Sequence, residues 1–260
     1  MLKRFGMLWI AHGSRDPKWV AGLDDAWEAV RSGWDGPAFL SFLELVDGRL
    51  IQDGINALEE AGVTDLIIVP MFVSSGSTHT EEIAWALGII PTTYHETDME
   101  RLNVHSNVHW VGPMDEDEKI ISIIRERAQA ITIDPANEIL LMIGHGSEVL
   151  PFENAWRRQL HRFGQRLRDE IGFSSYEFAT IMPLTVRQKV ESLNQSAPER
   201  TVVAIPIFIS PGYYTAKKIP GLLEGLNCRY TGDTLLPDLR VAEWAISKAN
   251  ERRAKEEALT

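Results

Sequence analysis

The chain has a single cysteine, Cys228, so it closes no internal disulfide and offers no cysteine-based zinc or iron–sulfur site. Any metal it handles must sit on imidazole, carboxylate or water. It has no basic excess: 26 Lys and Arg stand against 37 Asp and Glu, a formal net charge of -11. That balance is the reverse of what binding to a phosphate backbone needs, and it excludes nucleic acid as a partner. No apolar run approaches the roughly 20 residues of a membrane helix. The short apolar stretch near the N-terminus runs into His12-Gly13-Ser14 without a small-residue cleavage site. We therefore expect a soluble, cytoplasmic protein with no membrane partner. Three common motifs are missing as well: the Gly-x-Ser-x-Gly elbow, the Gly-x-x-x-x-Gly-Lys-Ser/Thr phosphate loop and the Gly-x-Gly-x-x-Gly turn. His12 also lacks the preceding arginine expected of a histidine phosphatase.

What is present is alternation. Apolar runs of strand length are separated by segments of helical period, the pattern of a parallel sheet with crossover helices. The first half predicts strands over 5–11, 38–45, 65–73 and 108–111, with helices over 18–32, 49–61, 79–88 and 115–130. The second half restarts the series. It predicts strands over 138–143, 176–184, 201–209 and 227–235, with helices over 152–171, 186–195, 215–225 and 239–256. Trp19, Trp27, Trp34, Trp85 and Trp156 fall on the helical segments, where core packing is their ordinary role.

Sequence echoes fall at matching places. Leu8-Trp9-Ile10-Ala11-His12-Gly13-Ser14 answers to Leu141-Met142-Ile143-Gly144-His145-Gly146-Ser147, and Val69-Pro70-Met71-Phe72-Val73-Ser74 to Ile205-Pro206-Ile207-Phe208-Ile209-Ser210. His12 and His145 are 133 positions apart and Pro70 and Pro206 are 136, so the chain holds two copies of one unit. Asp134-Pro135 marks a loop between them, because the residue before proline is pushed out of the helical region. The expectation is an α/β protein of two similar units, 1–133 and 134–260. Each is a four-stranded parallel sheet with flanking helices, and a cleft lies between the two. Ligands of such open sheets sit beyond the carboxyl ends of the strands.

That rule singles out three histidines. His12 and His145 each follow the first strand of their unit on a glycine-containing turn, and His79 follows the third strand of the first unit. In Thr78-His79-Thr80-Glu81, Thr78 reads as an N-cap and Glu81 as its capping-box partner, which puts His79 at the first helical position. The plain alternative for His12 is a turn histidine bonded to backbone; the repeated tetrad favours the functional reading. His95, His105, His109 and His161 have no comparable context and read as surface or strand positions.

Glu44, in Phe42-Leu43-Glu44-Leu45 at the end of the second strand, is an acid in an apolar run. A carboxylate there is either paired, for example with Arg49, or poised for proton transfer. The second copy has no acid in Thr180-Ile181-Met182-Pro183-Leu184 and has Gly212-Tyr213-Tyr214-Thr215 where the first has its second histidine. The copies are unequal, and the first carries the active site.

The Ala-His-Gly-Ser-Arg opening, the Phe-Leu-Glu-Leu strand end and the Val-Pro-Met-Phe-Val-Ser-Ser-Gly-Ser-Thr-His segment resemble the sirohydrochlorin chelatase family, in a tandem two-unit form covering nearly the whole chain. The resemblance implies class II chelatases of cobalamin and sirohaem synthesis. Such enzymes insert a divalent ion into a tetrapyrrole held between the lobes, without ATP. It further implies that His12 and His79 bind metal or take pyrrole protons, with Tyr214 at the corresponding place in the second unit. Metallation removes two N–H protons and strips water from the ion, so it needs imidazole ligands and a nearby base. His12 and His79 can supply the first; Glu44, with Glu81 or Glu82, can supply the second. The metal is expected as substrate, Co2+ first with Fe2+ and Ni2+ as alternates, and no permanent cofactor is expected. The substrate's many carboxylates would meet Arg15, Arg49, Lys217 and Lys218 and the amides around Ser14, Ser75, Gly76, Ser77, His145 and Ser210. Internal duplication provides both lobes in one chain, so a monomer is expected. Two other classes fit the same residues: a carrier that binds tetrapyrrole or metal without turnover, and a metal-dependent hydrolase or lyase.

Overall fold

The computed structural model describes residues 3–259. Its first sheet is built on two strands buried at every position, β1 (Phe5–Ala11) and β3 (Asp65–Pro70). A parallel strand covered by helices on both faces must be apolar on both, which is why these segments read as continuous runs. They form the central pair of the order β2-β1-β3-β4, with β2 (Ala38–Phe42) and β4 (Asn107–Trp110) at the edges. All neighbours are parallel, Met7 facing Ala38 and Phe5 facing Asp65. The crossovers are α1 (Pro17–Gly33), α2 (Ile51–Glu60) and α3 (Thr78–Ala86). α1 starts where Asp16 accepts the Lys18 amide and Pro17 takes the first helical position, whose amide needs no partner. One face of the sheet packs a core that includes Leu8, Ile10, Ile55, Leu66, Ile68 and Ile83.

The second sheet repeats the topology in the order β6-β5-β7-β8, from β5 (Glu138–Gly146), β6 (Ser175–Met182), β7 (Thr201–Pro206) and β8 (Cys228–Arg229), again all parallel. Its helices are α5 (Leu150–Ile171), α6 (Val186–Ser196) and α7 (Ile219–Leu223). The fold is thus two similar units, each a four-stranded parallel sheet with flanking helices. No helix among the described residues is long and apolar enough to cross a membrane.

Two helices pack in the unit opposite to their sequence repeat. α4 (Glu118–Ile131) buries Ile120, Ile121, Ile123, Ile124 and Ala128 against β7 and α5. α8 (Arg240–Ala258) buries Val241, Ala242, Trp244, Ala245 and Ala249 against α1, β1 and β3. The compact units are therefore Met1–Met114 with Pro237–Thr260, and Asp115–Leu236. The repeat in sequence and the unit of packing are cut at different places.

Several strands are shorter than their apolar runs. β2 ends at Phe42, and Leu45 takes a positive φ of 68° in the bend that follows. β3 ends at Pro70, where Phe72 turns its amide back to the Pro70 carbonyl. The predicted strand over 227–235 shrinks to Cys228–Arg229. The predicted helix over 215–225 begins as a π turn, Tyr214–Lys218, before α7. Pro220 has no amide to return to residue 216, so the regular ladder cannot run through it. Of the tryptophans, Trp34 and Trp156 are buried and Trp27 stacks on Trp9, while Trp19 and Trp85 are half-buried.

Candidate active site

The turn after β1 is closed by backbone. The amides of Leu43 and Glu44 donate to the carbonyls of Ala11 and His12, drawing the chain after β2 against the chain after β1. Gly13 lies at the tightest point with φ 103°, and a Cβ there would stand 2.0 Å from the Glu44 carbonyl oxygen. Only glycine fits, for steric and conformational reasons together. The consequence is that His12 is held beside Glu44, with Nδ1 3.9 Å from Oε1. Glu44 lies past the strand end, its side chain 53% exposed, and does not pair with Arg49, which binds Asp24 at 2.7 Å instead.

The loop after β3 brings in the second imidazole. Ser74 accepts the Gly76 amide on its hydroxyl and the Ser77 amide on its carbonyl. α3 then starts with Ser77 as its N-cap residue, without a side-chain cap. The expected capping box of Thr78 and Glu81 does not form. Thr78 is already helical, His79 takes the second helical position, and Glu81 turns away to accept the Tyr94 amide at 3.0 Å. The His79 ring meets the His12 ring edge-on, with centroids 4.7 Å apart and planes at 75°. Phe72 backs it at 6.1 Å.

Each ring nitrogen Nδ1 faces an oxygen acceptor. His12 Nδ1 is 3.0 Å from the Gly13 carbonyl, and His79 Nδ1 is 2.7 Å from Glu82 Oε2. An acceptor at that distance calls for an N–H on Nδ1, which leaves the basic lone pair of both rings on Nε2. Glu82 is bound a second time, through Oε1, to His95 Nε2 at 3.0 Å. The hydrogen bond from His79 above all, against the opposing effect of burial and with help from His95, holds the Glu82 carboxyl down at about 2. So acidic a group takes up no proton near neutrality, and Glu82 serves as a fixed acceptor for His79 rather than as a base. Among the described residues no three His, Cys, Asp or Glu side chains are grouped so as to hold a metal ion. What the rim offers is two imidazoles and a nearby carboxylate.

The second unit repeats the frame without the second imidazole. Gly146 has φ 79° and the same 2.0 Å approach, here to the Met182 carbonyl, and His145 Nδ1 lies 3.1 Å from the Gly146 carbonyl. Tyr214 stands edge-on to His145 at 5.5 Å and 87°, with Phe208 at 6.2 Å, as His79 stands to His12 and Phe72. Of the remaining predicted residues, Ser14 accepts the Asp16 amide on Oγ, Arg15 and Ser75 are exposed, and Gly76 is buried in the loop. Lys217 is exposed and Lys218 half-buried on the π turn.

His95 is the residue that sequence reasoning passed over. It lies in the long connection over 87–106, outside any periodic element, and nothing in its local pattern marks it. His109 is a strand residue as expected, held between Asp65 at 2.9 Å and Glu256 at 3.3 Å.

A model of the family described as CbiX matches residues 6–131 and again residues 139–251. A search of curated proteins finds no significant match. Among solved structures, SirB from Bacillus subtilis with Fe3+ is 19% identical over 98% of both chains, with a TM-score of 0.75. The sirohydrochlorin chelatase SirB from Bacillus subtilis subspecies spizizenii, in complex with cobalt, is 18% identical over 98% of this chain and 97% of its own, with a TM-score of 0.72. CbiX, the terminal enzyme for biosynthesis of siroheme in denitrifying bacteria, is 14% identical over 96% and 99%, with a TM-score of 0.63. At these identities the likeness to the solved structures is one of fold.

Proposed function

Because this chain belongs to the CbiX family, we propose that it inserts a divalent metal ion into sirohydrochlorin, with no nucleotide consumed. The observation that carries the proposal is the edge-on meeting of His12 and His79, 4.7 Å apart, with Glu44 alongside. The ion is a substrate and must leave with the macrocycle. Two imidazoles that present Nε2 lone pairs give borderline ligands without a closed four-ligand cage, which would trap the ion. Each turnover exchanges one M2+ for two pyrrole protons. Glu44, exposed and next to His12, is the group placed to accept them and pass them to water. The second unit, with Tyr214 in place of a second histidine, contributes no comparable ligand pair, so the chemistry belongs to the first. We place Co2+ first among the ions, with Fe2+ and Ni2+ as alternates; SirB, one of the structural neighbours, has been solved with cobalt and with Fe3+.

The test is to mix the purified chain with sirohydrochlorin and each ion in turn and follow the absorbance change of metallation. The expected result is multiple turnovers above the spontaneous rate. His12→Ala and His79→Ala should each lose more than the roughly 10–100-fold typical of outer-shell losses at metal sites. Binding of one tetrapyrrole per chain with no turnover would overturn the proposal in favour of a carrier.

A further inference from the structure

We infer that His95 and Glu81 are positioning residues for His79, acting through Glu82: they pin the carboxylate that selects which nitrogen of that ring is free to take a metal. The inference rests on the reading of His79 as a metal ligand. The His95 ring lies between two carboxylates, with Nδ1 3.2 Å from Glu81 Oε2 and Nε2 3.0 Å from Glu82 Oε1. Glu81 is itself held, because the Tyr94 amide donates to the same Oε2. Carboxylates only accept, so both His95 nitrogens donate here, and with His95 carrying both protons the chain from Tyr94 to His79 is continuous: backbone amide, Glu81, His95, Glu82, His79. Its inner members are shielded, with side-chain exposures of 9% for Glu81, 19% for His95 and 13% for Glu82. Hydrogen bonds in such a setting are stronger than in water.

α3 does not need this chain to form, since Ile83, Ala84 and Ala86 already bury its apolar side. The bonds serve orientation. A glutamate with one partner can swing about its side-chain torsions, whereas Glu82 is bound through one oxygen to His79 and through the other to His95. Pinned so, it keeps an acceptor at His79 Nδ1 and the lone pair on Nε2. With His95 removed, Glu82 leaves that position part of the time, and the ring then exchanges its N–H between the two nitrogens. Outer-shell partners of metal-bound histidines are worth roughly 10–100-fold in metal affinity. His95 acts one bond further out, so about 10-fold is expected.

The experiment uses the full chain, labelled with 15N-histidine and free of metal, with spectra taken from about pH 6 to about pH 8, across the ordinary histidine range. Long-range 1H–15N spectra report which nitrogen of His79 carries the proton, and a parallel titration with Co2+ alone reports affinity. Wild type should show His79 protonated on Nδ1. His95→Ala should show a mixture and bind Co2+ about 10-fold more weakly, and His95→Gln, whose amide can still donate to Glu82, should recover most of both. Should His95→Ala fail to fold, Glu81→Ala answers the same question, because it removes the acceptor that holds His95 Nδ1 and leaves Glu82 and His79 in place. A His79 ring unmoved in its tautomer by these changes overturns the inference, whatever the Co2+ titration gives. Unchanged Co2+ affinity in His79→Ala overturns instead the reading of His79 as a ligand, while the tautomer still decides the positioning role.

Discussion

Glu82→Gln should flatten the acid sensitivity of the fold by a calculable amount. The Glu82 carboxyl sits at about 2 in the folded chain against an ordinary value of 4.5, chiefly through its bond to His79. A depressed carboxyl contributes stability that is complete above its unfolded value and lost as pH falls through the folded one. The window is therefore pH 5 down to pH 2. At about 1.4 kcal/mol per pH unit, the gap is worth about 3 kcal/mol for a side chain only 13% exposed. Glutamine has nearly the same shape. It can still accept from His79 on its amide oxygen, so the variant should fold, but it takes up no proton as the pH falls. Urea denaturation followed by tryptophan fluorescence at pH 5, 4, 3 and 2 should show wild type losing about 3 kcal/mol more than Glu82→Gln over that range. The depressed carboxyls of Asp65, Glu59, Glu118 and Glu170 are common to both proteins and cancel in the difference. Two curves that fall in parallel would show that Glu82 is not held by the two histidines, and the account of His79 would go with it.

Gly13→Ala should cost about 2 kcal/mol or more, because it combines a positive φ with a Cβ driven into the Glu44 carbonyl. Gly146→Ala should cost a similar amount through the matching contact with Met182, but only Gly13→Ala should also slow metallation, which absorbance and thermal melts together resolve. Arg229→Ala removes the partner of Glu138, whose side chain is 3% exposed, and leaves a buried carboxylate with the Ile133 and Asp134 amides alone. A loss of about 3 kcal/mol in urea denaturation is expected, and a loss below about 1 kcal/mol would refute the buried-pair argument.

The strands β1 and β3 were legible because burial on both faces leaves a run of apolar residues that no local alternative explains. The likeness of the two sheets was legible from the His-Gly-Ser and Pro-x-Phe echoes, which recur at the same strand ends. His12 and His79 could be placed at one edge for the same reason: His12 directly follows one central strand, His79 follows the other after a short loop, and strand order brings those ends together. Their actual approach, ring against ring, follows from the turn at Gly13 and the start of α3. Glu44 was legible as an acid near the site but not in its setting, since β2 stops at Phe42, short of its apolar run, and leaves the Glu44 side chain exposed.

The amino-acid sequence determined the period of its elements, the duplication and the residue types available at the strand ends, because each depends on neighbours within a few positions along the chain. Folding in space decided the rest. α8, from the far end of the chain, covers the first sheet because its apolar face finds an uncovered one there, and no local pattern records which sheet that is. His95 meets Glu82 for the same kind of reason: a loop of no regular period is laid over α3 by contacts distant in sequence, and only there does its imidazole acquire two carboxylates to stand between.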